Sequence, residues 1–167
     1  MTPTRFLEIE PDQTPFLEAG LEMTRPSFHA RIEVGDDGIS RAVPHVNNTE
    51  YVRWIDRLAE MATDAAGFTR ESLLADQRMW FVARHEIDYR GEAFVDDRLL
   101  AATWIKSLTR TTAHRATAVI DASSHRMICV ATTRWAYVDL ENRRPARIPA
   151  EVRAIFPGAP EDGASSA

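Results

Sequence analysis

Cysteine is almost missing from this 167-residue chain: Cys129 stands alone. A lone cysteine excludes an intrachain disulfide and any thiolate zinc cluster. Lysine is equally scarce, with Lys106 the only one, so arginine carries nearly all the positive charge. Arginine's planar fork also grips phosphate well. No stretch approaches the roughly 20 apolar residues that a membrane span needs. The start of the chain lacks the basic-then-apolar pattern of a signal peptide. The net charge is −5, which argues against a surface that coats nucleic acid. His85, His114 and His125 fall outside metal-ligand spacing. The expectation is therefore a cytoplasmic protein with no metal, no cofactor, no nucleic acid and no membrane. The length suits one domain with a sizeable core.

What is present begins with an amphipathic helix. Tyr51, Trp54, Ile55, Leu58, Ala59, Ala62 and Ala66 recur at the i, i+3, i+4 spacing. Asn47 is placed to cap it, with Glu50 three residues on as the capping-box partner. Gly67 ends it. Upstream, residues 1–27 carry four prolines among acidic residues. They read as an N-terminal arm with a short helix over 16–23. Residues 28–34 alternate like a strand, Gly35 to Gly38 signal a turn, and 39–43 read as extended up to Pro44. Downstream, a short helix is expected over 69–76. Four strands follow over 79–89, 98–108, 113–121 and 127–140. In the last of them Met127, Cys129, Ala131, Thr133, Trp135 and Tyr137 are expected on one face. A short helix should run to Phe156. The tail 157–167 is too small and polar to pack and reads as disordered. The main domain spans 28–156. An apolar helix stripe must be buried, and a curved antiparallel sheet wrapped around that one long helix is the natural way to do it.

The entrance to the long helix is unusually polar. The run HVNNTEYVRW at 45–54 puts His45, Asn47, Asn48 and Tyr51 where free backbone N–H groups of the first turn can meet a ligand. A second polar run, YRGEAFVDD at 89–97, contributes Glu92.

These two runs carry a resemblance. His45-Val46-Asn47-Asn48 with Tyr51 and Trp54 resembles the HVNN motif of hotdog-fold acyl-thioesterases. It is similar both to single-domain acyl-CoA thioesterases of the 4-hydroxybenzoyl-CoA type and to acyl-ACP thioesterases. Tyr89 to Ala93 resembles the YRREC segment of the acyl-ACP group, whose catalytic glutamate is matched by Glu92. The stretch RRPARIPAEVR at 143–153 is similar to the C-terminal part of these families. The resemblance implies an α+β fold, a single hotdog domain. It implies hydrolysis of acyl-CoA or acyl-ACP, and a site shared between subunits of a homodimer or a dimer of dimers. Three positions depart from the pattern. Arg41 stands where these thioesterases carry an aspartate, Val43 where the acyl-ACP group has asparagine, and Ala93 in place of its cysteine. Asp36 and Asp37 are near in sequence, but only a bulged strand would bring them to the site.

Thioester hydrolysis needs an activated water or nucleophile and donors for the oxyanion. With the resemblance, Glu92 is the candidate base, and His45 orients it or the water, or bonds the thioester carbonyl. The Asn48 backbone N–H is the oxyanion donor, with Asn47 beside it as a site residue or a plain cap. Trp54, Ile55 and Leu58 would wall the acyl chain, with Tyr51 packing at the helix start. Lys106, Arg110 and Arg115 flank a strand turn. They would bind the phosphates of CoA or of a carrier protein's phosphopantetheine, or else form a solvated hairpin. The resemblance leaves two other functions: a hotdog protein that binds acyl thioesters without cleaving them, because Arg41 replaces the aspartate, and a hotdog hydratase or dehydratase, whose HxxGxP-type segment this chain lacks.

Overall fold

The computed structural model describes residues 1–160. One helix sets its layout. Helix α2, Asn48–Ala65, buries Tyr51, Trp54, Ile55, Leu58, Ala59 and Ala62, the expected stripe. Asn47 caps it by accepting from the Thr49 N–H at 3.0 Å. The expected reciprocal half of the capping box does not form. The Asn47 N–H is taken by the Gly38 carbonyl at 2.8 Å, and Glu50 pairs instead with Arg53 at 3.4 Å.

The sheet curls around this helix. Its strands are β1 (Arg5–Ile9), β2 (Ser27–Glu33), β3 (Arg78–Tyr89), β4 (Arg98–Leu108), β5 (Thr112–Asp121), β6 (Met127–Asp139) and the short β7 (Arg144–Pro145). The order is β1-β2-β4-β5-β6-β3, with β7 also on β6, and every pairing is antiparallel. This is the hotdog arrangement, α+β, that the helix and strand pattern implies. Three short helices complete the described residues: α1 (Thr14–Glu18), α3 (Arg70–Ala75) and α4 (Ala150–Ile155).

Successive strand residues face opposite ways, and both faces of the sheet are covered. Ala101, Val119 and Cys129 pack with Trp54 and Leu58 on the α2 side. Ala102, Ala118 and Ile120 pack with Phe16 on the other side.

The sequence reading differs in four places. The N-terminal stretch contributes a strand, β1, as well as a helix, and that helix is shorter and earlier than 16–23. It lays Phe16 against the outer face of the sheet, edge-on to His29 at 5.3 Å between rings. Residues 39–46 do not run extended. They fold back on themselves, with Ile39 bridged to Val46 and the Ser40 N–H donating to the His45 carbonyl at 2.8 Å. Met127 does not share a face with Cys129. The β5–β6 register shifts between Val119 and Ile120, and one extra residue in a ladder turns the neighbouring side chain to the other face. Of the tail, Pro160 accepts from the Leu108 N–H at 3.1 Å and Ala159 packs against the core; the disorder expected beyond it lies outside the described residues.

Leu58 is fully buried at the centre of α2. Leu58→Ala should cost about 2–5 kcal/mol of stability, as other buried leucines do, read as a lower urea midpoint with an unchanged slope.

Candidate functional site

The fold-back at 39–46 delivers His45 to the N-terminus of α2. The segment after β3 delivers Glu92 to the same place. His45 Nδ1 lies 3.0 Å from Glu92 Oε1, so the two residues singled out from separate runs form a pair. Both reach solvent, with side-chain exposures of 34% and 60%.

Several contacts lock the two segments together. The Val46 N–H donates to the Ala93 carbonyl at 2.8 Å. The Tyr89 hydroxyl donates to the Asn48 carbonyl at 3.0 Å, and the Tyr89 and Tyr51 rings meet edge to face at 5.4 Å. The N–H groups of Arg90 and Gly91 both donate to the Ile128 carbonyl, which turns the chain so that Glu92 faces the helix. A Cβ on Gly91 would displace the movable Arg126 guanidinium and come within 3.0 Å of the Met127 carbonyl oxygen, so the fit there is tight. That guanidinium donates to the Glu92 carbonyl at 3.3 Å. Burial pushes the Tyr51 hydroxyl up to about 12. Tyr51 therefore stays neutral and acts as packing and as a hydrogen-bonding group.

Around the pair lies an open cavity of about 360 Å³, lined by Ser40, His45, Asn47, Asn48, Tyr51, Tyr89 and Glu92 among others. Asn48 is the first residue of the helix, so its N–H has no intrahelical acceptor. Among the described residues, no aspartate lines this cavity. Asp36 accepts from the Thr2 N–H at 2.6 Å, and Asp37 from Thr4 at 3.0 and 2.9 Å. Both are committed to the residues that lead into β1. Arg41 and Val43 are exposed, and Ala93 is fully buried under the site.

Other candidates fall elsewhere. Trp54, Ile55 and Leu58 are buried in the core and line neither the small cavity nor a larger one of about 790 Å³. The larger one lies along the outer side of α2, beneath α3 and α4 and against the start of β3. Lys106, Arg110 and Arg115 do not form one cationic cluster. Lys106 and Arg110 are exposed, whereas Arg115 is 93% buried by its 7% exposure and lines the larger cavity. The β4–β5 ladder shifts register between Ile105 and Ser107. Lys106 falls at that shift, facing solvent, while Arg115 turns inward opposite Ile105. Burial pulls the Arg115 guanidinium down to about 10, still protonated at neutral pH. Among the described residues no group of histidines, cysteines and acids is placed to hold a metal ion, and no helix is long and apolar enough to cross a membrane.

The sequence and the fold have known counterparts. An acyl-CoA thioesterase, YbgC, from Haemophilus influenzae is 29% identical over 134 residues, covering 78% of this chain and 93% of that protein. Among solved structures, a putative oleoyl thioesterase from Lactobacillus plantarum superposes with a TM-score of 0.75 at 18% identity. It matches 83% of this chain, which spans about half (53%) of that longer one. A 1,4-dihydroxy-2-naphthoyl-CoA thioesterase from Synechocystis superposes with a TM-score of 0.72 at 16% identity, over 78% of this chain and 95% of that one. At these identities the two structures are likenesses of fold. The family model of the thioesterase-like superfamily matches residues 37–156, a span that holds His45, α2 and Glu92, and the chain belongs to that superfamily.

Proposed function

We propose that the chain is an acyl-CoA thioesterase whose reaction centre is the small cavity at the N-terminus of α2. The observation that carries this is the 3.0 Å His45–Glu92 pair beside the helix-start N–H of Asn48. Glu92 takes a proton from water, and the resulting hydroxide adds to the thioester carbonyl. The Asn48 N–H and the positive end of α2 stabilise the oxyanion. Collapse breaks the C–S bond, and the Glu92 proton passes to the thiolate, leaving free acid and thiol. His45 holds the carboxylate through Nδ1 and leaves Nε2 for the water or the carbonyl. No aspartate is needed in this scheme, which fits the commitment of Asp36 and Asp37 to Thr2 and Thr4. The likeness to YbgC favours CoA over a carrier protein as the thiol.

The site is read as complete only in a homodimer. β3 is an edge strand of twelve residues with Phe81 and Val82 exposed, and unpaired apolar edges invite pairing. Two copies of β3 meeting antiparallel about a two-fold axis bring the Tyr89 end of one against the Arg78 end of the other. The small cavity of one subunit would then adjoin the larger cavity of its partner, giving the acyl group a place to go.

Glu92→Gln keeps a hydrogen bond to His45 but cannot accept the proton. Steady-state hydrolysis of an acyl-CoA panel should fall about 10²–10⁴-fold in this variant, the range for loss of a general base. Turnover equal to wild type would remove Glu92 from the chemistry. The double variant Phe81→Glu, Val82→Glu should sediment as a monomer and lose turnover in parallel. A monomer that keeps full activity would place the whole site within one subunit.

A further inference from the structure

The larger cavity is lined by a buried cation that no described carboxylate pairs with. Arg115 is buried, and its one hydrogen bond goes to a neutral acceptor, Thr103 Oγ1, at 3.2 Å. The acids of α2 at the cavity mouth, Asp56, Glu60 and Asp64, make no ion pair with it; Glu60 is engaged by Arg57 at 3.0 Å and Arg70 at 3.9 Å. The indole Nε1 of Trp135 is sealed from solvent and has no partner. The two side chains lie together. Ala113 pairs with Trp135 and Arg115 with Thr133 across β5 and β6. Arg115 and Trp135 are thus diagonal neighbours on one face of the sheet, roughly 7 Å apart. Around them the walls are apolar, including Phe68, Leu73, Trp80 and Phe156.

A guanidinium offers five N–H donors, and a buried cation without a counter-charge is costly unless something else completes it. A cavity with apolar walls, charged residues at its mouth and a buried cation that lacks a counter-charge is complementary to an apolar body that ends in anionic oxygens. Its volume of about 790 Å³ lies in the range of small-molecule pockets, roughly 300–1,000 Å³.

We propose that this cavity receives the acyl group of a substrate carrying a carboxylate at its far end, which Arg115 binds. Arg115 is then a specificity-determining residue, and the substrates are monothioesters of dicarboxylic acids. The inference rests on the thioesterase reading for the word substrate. The pocket itself rests only on the buried Arg115 cation without a counter-charge, so a free dicarboxylic acid is the other source of the same chemistry.

The test compares suberoyl-CoA with octanoyl-CoA, equal in carbon length, on wild type, Arg115→Met and Arg115→Lys. Wild type should prefer suberoyl-CoA in kcat/KM by about 10- to 100-fold, the discrimination expected of a charge-assisted bond. In Arg115→Met the preference should reverse, because suberoyl-CoA loses its partner while octanoyl-CoA gains an uncharged wall. Arg115→Lys should restore part of it. The melting temperature of ligand-free Arg115→Met should not fall, since it removes an uncompensated buried charge. Equal use of both thioesters by wild type, or a parallel loss on both in Arg115→Met with a lowered melting temperature, would overturn the proposal. If no thioester is cleaved, the thioesterase reading fails separately. Calorimetry with free suberate then decides the pocket: binding by wild type that Arg115→Met abolishes upholds it, and absence of binding overturns it.

Discussion

The structure depends on burying one face of one helix. α2 is polar on its outer side and lined with Tyr51, Trp54, Ile55, Leu58, Ala59 and Ala62 on its inner side. A stripe of that width cannot face water, and a sheet that curls around the helix removes it on several sides at once. Once the helix is fixed, so is its first turn. The donors of Asn48 and Thr49 are then held at the sheet's rim, where the chain arriving from β2 and the chain leaving β3 must both pass. The candidate reaction centre is built where those two passages meet.

That meeting is maintained by backbone more than by side chains. Val46 to Ala93, Asn47 to Gly38, and the paired donation of Arg90 and Gly91 to Ile128 fix where His45 and Glu92 emerge. Their own contact is half in water, where an ion pair contributes little to stability. The pair is better understood as a consequence of the scaffold than as a cause of it. Rigid placement of an otherwise weak pair is what general base catalysis requires, because the geometry must be held without help from the pair itself.

The legibility of the chain follows from the range over which each feature is determined. The helix, its Asn47 cap and the four long strands were readable because periodicity and caps are local signals. The His45–Glu92 pair was readable only because two separate runs resembled one family pattern; neither run alone says that they touch. β1 was hidden because five residues between prolines carry too little alternation to stand out, and its pairing with β2 is decided by tertiary packing. The inward turn of Arg115 was hidden for a sharper reason. A charged residue near a hairpin reads as solvated, and only the register shift after Ile105 and the cover of α3 and α4 put it inside. The face change at Met127 has the same origin, since a bulge is a one-residue event that the sequence does not mark.

The two cavities complete the physical picture by what each holds. The small one, of about 360 Å³, joins the His45–Glu92 pair to a helix terminus, the features that the proposed hydrolysis uses. The large one has apolar walls, a buried cation and the α2 carboxylates Asp56, Glu60 and Asp64 at its mouth, and it is the cavity proposed to hold the acyl chain. α2 separates them within one subunit, the small one at its N-terminus and the large one along its outer side. A two-fold axis through β3 is the operation that exchanges the ends of that strand. It would set the reacting end of one subunit beside the holding end of the other. On this view the exposed Phe81 and Val82 and the unpaired charge of Arg115 share one explanation: each is a cost to the isolated chain that a partner subunit and a substrate together offset.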